Sequence, residues 1–185
     1  MNPMFYRSLF LLAGLALGPT GFTAKALAGQ NLGEAREVYV DLRHATGASS
    51  GWGTAQNHAS VEGKPLRIGS VDFAQGIGTH APAEIVFPLD GKWRWLTFYA
   101  GVSADMSEKG SVTVEVWLDG EKAFDTGVMR IHEDPRYVSL PIAGKKQLRL
   151  VGTDGGDGIA ADHLNLCNLR LSSSTVAPNA FTRGA

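Results

Sequence analysis

Val112-Thr113-Val114-Glu115-Val116-Trp117-Leu118-Asp119-Gly120 is the stretch that decides the fold. Val112, Val114, Val116 and Leu118 recur at every second position, the period at which strand side chains return to one face. They predict a core-facing row, with Thr113, Glu115 and Trp117 on the opposite face. Asp119-Gly120 is a two-residue hairpin signal, because these residues tolerate the positive φ such turns need. The strand after it carries Phe124. Gln147-Leu148-Arg149-Leu150-Val151 repeats the alternation, with Leu148 and Leu150 expected inward.

Outward from there, short apolar runs alternate with Gly, Asp, Asn and Pro. Strands are predicted at 38–42, 66–68, 71–73, 83–89, 93–102, 112–118, 122–126, 137–142, 147–152 and 164–171. No window beyond the N-terminal apolar stretch keeps a 3.6-residue period. The rhythm is that of an all-β sandwich or barrel in one domain. Between 71–73 and 84–87 lies Gly76-Ile77-Gly78-Thr79-His80-Ala81-Pro82. Its glycines and proline predict an irregular loop, where recognition residues often sit.

The chain has 185 residues, with 17 Lys and Arg against 18 Asp and Glu, a formal net charge of −1. No basic cluster interrupts that balance, so nucleic acid and anionic membrane surfaces are poor partners; a monomer is expected. Arg7, the apolar residues 8–18, and Ala24-Lys25-Ala26 or Ala26-Leu27-Ala28 read as a secretory signal over 1–28. That apolar run is shorter than the ~20 residues of a membrane span. The expected location is secreted or periplasmic, without membrane insertion after cleavage. Residues 29–36 read as a leader, and 173–185, rich in Ser, Thr, Ala and Pro, as a disordered tail. Cys167 is the only cysteine, so no intramolecular disulfide forms, and its apolar strand predicts a buried, inert thiol.

Catalytic patterns are missing. There is no Gly-x-Ser-x-Gly or His-Glu-x-x-His, and Asp90, Asp105, Asp119, Asp134, Asp154 and Asp157 sit in turns without the spacing of a facing pair. An enzyme is not expected. In the run from Asp154 to His163, Asp154 and Asp157 could give oxygens to a structural calcium; the other reading is a solvated turn. His80 and His163 lack a third ligand for zinc. Sugars need an aromatic ring for their C–H face and planar polar groups for their hydroxyls. Trp52 stands in a glycine-flanked loop, Trp117 on the outer face of its strand. Trp93 and Trp95 share a face opposite Leu96, Phe98 and Ala100, which leaves Arg94 awkwardly inward.

The ordered blocks from Val38 to Leu171 resemble the NPCBM domain, a carbohydrate-binding module often appended to glycoside hydrolases. They are Tyr39-Val40-Asp41-Leu42, Gly51-Trp52-Gly53, Gly63-Lys64-Pro65-Leu66-Arg67-Ile68-Gly69, Gly76-Ile77-Gly78-Thr79-His80-Ala81, Leu89-Asp90-Gly91-Lys92-Trp93, Gly101-Val102, Gly110-Ser111-Val112, Leu118-Asp119-Gly120, Leu148-Arg149-Leu150-Val151, and Asp154-Gly155-Gly156-Asp157-Gly158 through Asp162-His163. The resemblance implies a module over 37–172 with a galactose-binding-like jelly-roll β-sandwich. It implies non-catalytic binding of a glycan or glycoconjugate, galactose-containing for some relatives, from loops at one end, with calcium in some. Family members often close with Asp-His-Ala-Asp-Trp; here Asn165 and Leu166 replace the second acid and the Trp. The expected sugar contacts are Trp52 by stacking, and His80, Asp105, Asp162 and His163 by hydrogen bonds. The alternative is a structural or protein-interaction module that holds an envelope protein.

Overall fold

The computed structural model describes residues 35–180. Among them the strands are β1 (Glu37–Tyr39), β2 (Gly47–Ser50), β3 (Gln56–Asn57), β4 (Leu66–Ile68), β5 (Val71–Phe73), β6 (Gly76–His80), β7 (Ala83–Pro88), β8 (Trp95–Val102), β9 (Ser111–Leu118), β10 (Glu121–Asp125), β11 (Met129–Arg130), β12 (Arg136–Pro141), β13 (Gln147–Thr153) and β14 (His163–Ser172). One sheet runs β12-β8-β14-β6-β3, with β1 on β14. The other runs β10-β9-β13-β7-β2, with β11 on β9; β4 and β5 form a separate hairpin. The only helix among the described residues is a 3-10 turn, Leu42–His44. The chain is an all-β sandwich.

The alternation in β9 is borne out. Val112, Val114, Val116 and Leu118 are buried, while Thr113, Glu115 and Trp117 are half-buried on the other face. They pack in one core with Leu148 and Leu150 of β13, Ile85 and Phe87 of β7, and Leu96, Phe98 and Ala100 of β8. Asp119 and Gly120 turn at φ 53 and 87, so the hairpin has both central residues left-handed, the condition that favours this pair. The Asp119 carboxylate accepts from the backbone N–H of Lys146 and Gln147, both at 2.9 Å, and ties the turn to the start of β13.

The Gly76–Pro82 expectation is corrected. Residues 76–80 are a strand, wholly buried between β14 and β3. Its glycines answer close packing rather than turning. A Cβ on Gly78 would lie 2.3 Å from the Ala59 carbonyl oxygen, and one on Gly76 2.5 Å from that of Leu166. Trp93 precedes its strand, which begins at Trp95, and is partly buried against the core. Arg94 is exposed, its backbone N–H on the Ser172 carbonyl at 2.8 Å, so the expected inward arginine does not arise.

β8 is buried along nearly its whole length because the β4–β5 hairpin covers its outer face. Leu66 and Ile68 pack there on Tyr99 and Cys167, with Phe73 and Tyr137 alongside. The fit leaves no room at Gly101, whose Cβ would meet the Ile68 side chain at 2.4 Å. Beyond β14, where a disordered tail was expected, Ser173 and Arg36 exchange two hydrogen bonds at 2.9 Å, and Tyr137 donates to the Pro178 carbonyl at 2.7 Å. The signal 1–28, most of the leader and residues 181–185 lie outside the described residues. Among the described residues no helix is long and apolar enough to cross a membrane.

Candidate functional site

Antiparallel pairing of β6 with β14 sets His80 opposite His163, with ring centroids 5.0 Å apart. The loop after β2 brings Trp52 onto that pair, 6.0 Å from the His80 ring and 5.3 Å from the His163 ring. Ser50 is the fastener. Its hydroxyl accepts from the His80 N–H at 3.0 Å and donates to the Trp52 carbonyl at 2.6 Å. Gly51 donates to the His80 carbonyl at 2.9 Å, and a Cβ there would strike Pro82 at 2.7 Å, so only glycine lets the loop approach this closely. Trp52 remains 52% exposed: one side rests on the imidazoles and the other faces solvent.

The two histidines are floor rather than rim, at 5% and 6% exposure. His80 Nδ1 lies 2.6 Å from the Ala81 carbonyl oxygen, which fixes its proton on that nitrogen. Neither ring nitrogen of His163 has a hydrogen-bond partner among the described residues. Burial, and then the neighbouring His80, push its pKa below the ordinary histidine value. Asp162 is fully buried; its Oδ1 accepts from the Ser111 N–H at 2.9 Å and its Oδ2 has no partner. Burial pushes this carboxyl up to about 6. The expectation that Asp162 meets a sugar hydroxyl is therefore corrected. It lies behind the surface, where it ties the start of β14 to β9.

A polar rim continues from His163. Glu62 Oε1 is 3.6 Å from His163 Nε2, and Glu62 Oε2 is 2.6 Å from Lys64 Nζ. Lys64 Nζ is also 3.1 Å from Asp105 Oδ2, and Asp105 Oδ1 accepts from the Ser103 hydroxyl at 2.5 Å. Burial raises the Asp105 pKa, but the Ser103 hydroxyl and Lys64 outweigh it and hold the carboxyl below its usual range. Four of the sequence candidates, Trp52, His80, His163 and Asp105, thus belong to one contiguous cluster, and Asp162 lies behind it. The sequence reading missed Glu62 and Lys64. Gly63-Lys64-Pro65 was visible as a motif, but nothing in its spacing says that the loop returns to His163.

Other candidates lead elsewhere. Trp117 donates to Glu115 at 2.8 Å and lies beneath the Arg149 guanidinium, 4.5 Å from its centroid, so its ring is already covered. Asp157 accepts from the Ser111 hydroxyl at 2.7 Å and faces Arg130 at 3.4 Å; Asp154 accepts from Gly156 N–H in its own turn. Among the described residues no group of three or more His, Cys, Asp or Glu is placed to hold a metal ion. Cys167 is fully buried, and desolvation pushes its thiol far above the ordinary value.

An exposed indole beside acceptors (Glu62, Asp105) and a donor (Lys64) is the surface a sugar ring needs: a wall for C–H groups and charged partners for hydroxyls. The model of the NPCBM/NEW2 domain matches residues 36–172. This chain belongs to the NPCBM/NEW2 domain family. The CBM51 module of Clostridium perfringens GH95, whose structure was solved with methyl-galactose, is 37% identical with a TM-score of 0.70, covering 74% of this chain and 99% of that one. The second CBM51 of C. perfringens ZmpB, solved with GlcNAc, is 26% identical with a TM-score of 0.68, covering 74% of this chain and 31% of that one. A Renibacterium salmoninarum protein named for endo-alpha-N-acetylgalactosaminidase activity is 23% identical over 156 residues, which are 77% of this chain and 10% of that protein. This NPCBM/NEW2 chain thus spans about a tenth of that relative. Family and fold neighbours together support a carbohydrate-binding module.

Proposed function

We propose that this NPCBM/NEW2 chain binds glycans without altering them, acting as a secreted or periplasmic module that takes a galactosyl or related sugar over Trp52. The observation that carries this reading is the half-exposed Trp52 ring beside the Glu62-Lys64-Asp105 rim. In the proposed pose the apolar face of the sugar stacks on the open side of the indole. Its hydroxyls donate to Glu62 and Asp105 and accept from Lys64. His80 and His163 support the indole from below. The methyl-galactose complex of the GH95 module supports galactose as the first sugar to test.

A glycan array probed with the purified protein tests the reading. Discrete galactosyl or N-acetylhexosaminyl hits, lost in Trp52→Ala, are expected. A blank array from folded protein would overturn it and shift attention to a protein partner at the envelope.

A further inference from the structure

Building on that reading, we propose that the site continues past Lys64 and Asp105 into a second subsite. The ligand it prefers is then a neutral disaccharide or longer glycan, not a single sugar. A groove of about 420 Å³ adjoins these two residues, lined by Lys64, Pro65, Arg67, Asp72, Ala104 and Asp105. Lys64 and Asp105 belong both to the rim beside Trp52 and to this groove, so a chain leaving the first sugar meets it directly.

The groove is preorganised. The Arg67 carbonyl accepts from the Ala104 N–H at 3.0 Å and from the Asn165 side chain at 3.1 Å. Ile68 bridges Ser103, and Ser103 holds Asp105. Three separate segments are thereby locked around one floor, which lowers the ordering cost a ligand would meet. Above it, Arg67 and Asp72 face each other across the β4–β5 hairpin at 3.3 Å, with side chains 55% and 74% exposed. They offer a planar donor fork and a carboxylate beside the apolar surface of Pro65 and Ala104, the combination a second pyranose requires. Asn165 of β14 thus serves the groove floor.

Charge selects the ligand class. Lys64 and Arg67 are opposed by Glu62, Asp72 and Asp105, and each cation already has an anionic partner. No surplus positive charge is left for a uronate or sialate carboxylate, so the second sugar is neutral.

Calorimetry with methyl galactoside, lactose, N-acetyllactosamine, lacto-N-biose and sialyllactose separates the outcomes. At least one neutral disaccharide is expected to bind about tenfold tighter than methyl galactoside. Arg67→Ala and Asp72→Ala, both exposed and outside the core, should erase that gain while leaving methyl galactoside affinity unchanged. The subsite is refuted if no disaccharide gains more than about twofold, if the gain survives both substitutions, or if sialyllactose gains most. Methyl galactoside binding with no disaccharide gain removes the subsite alone. No binding of any sugar removes the glycan-binding reading as well.

Discussion

Replacing Trp52 by alanine strips the wall from the proposed sugar site while leaving both sheets intact. A tryptophan side chain offers roughly 150–250 Å² of contact area, and 52% of Trp52 is open, so roughly 100 Å² is free for a ligand. If a sugar covers between half and all of it, at about 25 cal/mol per Å² the lost contact is about 1.3–2.5 kcal/mol. That converts to a Kd raised about 10- to 70-fold. The structural cost is smaller, because the indole lies in a loop outside both sheets and only its inner side rests on His80 and His163. Calorimetric titration with an array-identified galactoside measures the affinity, and circular dichroism with thermal melting monitors the fold. Trp117→Ala is the matched control: it removes an indole covered by Arg149 on the other sheet and should leave Kd unchanged. An unchanged Kd in folded Trp52→Ala would refute the reasoning, since no other exposed indole stands at the Glu62-Lys64-Asp105 rim among the described residues.

Other outcomes are equally specific. Gly78→Ala places a methyl 2.3 Å from the Ala59 carbonyl oxygen and 2.4 Å from Ser60 Cα, both backbone atoms, so urea denaturation should show a loss of about 3 kcal/mol or more. Ser50→Ala leaves the His80 N–H and the Trp52 carbonyl without their shared hydroxyl; about 1–3 kcal/mol of stability should be lost, and galactoside affinity should fall with it. Asp162 holds its proton up to about pH 6 when folded, against 3.8 ordinarily. The folded state therefore binds the extra proton, and stability falls as pH rises from about 4 to about 6. In Asp162→Asn this loss disappears, so its Tm advantage over the parent should grow across that window and stay level above it. His163, with its lowered pKa, gives the opposite slope in both proteins and cancels in the difference. Calcium or a chelator should leave Tm unchanged, because Asp157 is engaged by Ser111 and Arg130 and Asp154 by its own turn; a rise in Tm with calcium would mean the loop rearranges around the ion.

The strands legible in the sequence were β8, by its nearly continuous apolar run, and those with one wet and one dry face. β9 and β13 show it in their alternating valines and leucines, and β4 and β5 were bounded by turn residues at the right places. Strands with neither signal were invisible. β2 is Gly-Ala-Ser-Ser, β3 is two residues long, and β6 is buried on every side, so its sequence carries glycines chosen for backbone approach rather than any period. Its glycines resembled a loop because sequence cannot separate a glycine that turns from a glycine that is crowded.

At the site the same division holds. The sequence alone singled out Trp52 as the stacking candidate, since glycines on both sides gave it no strand to pack beneath, and motif order tied it to His80 and His163. It could not order those residues in depth. Burial is a property of what neighbouring strands cover, and only the β6–β14 pairing sets the two buried histidines against the indole. Nor could it supply Glu62, which meets His163, and Lys64, which meets Asp105, across separations set by the return of one loop onto others. Periodicity is a local property and survives in the sequence. The rim is built from long-range contacts, and those exist only once the two sheets have closed on each other.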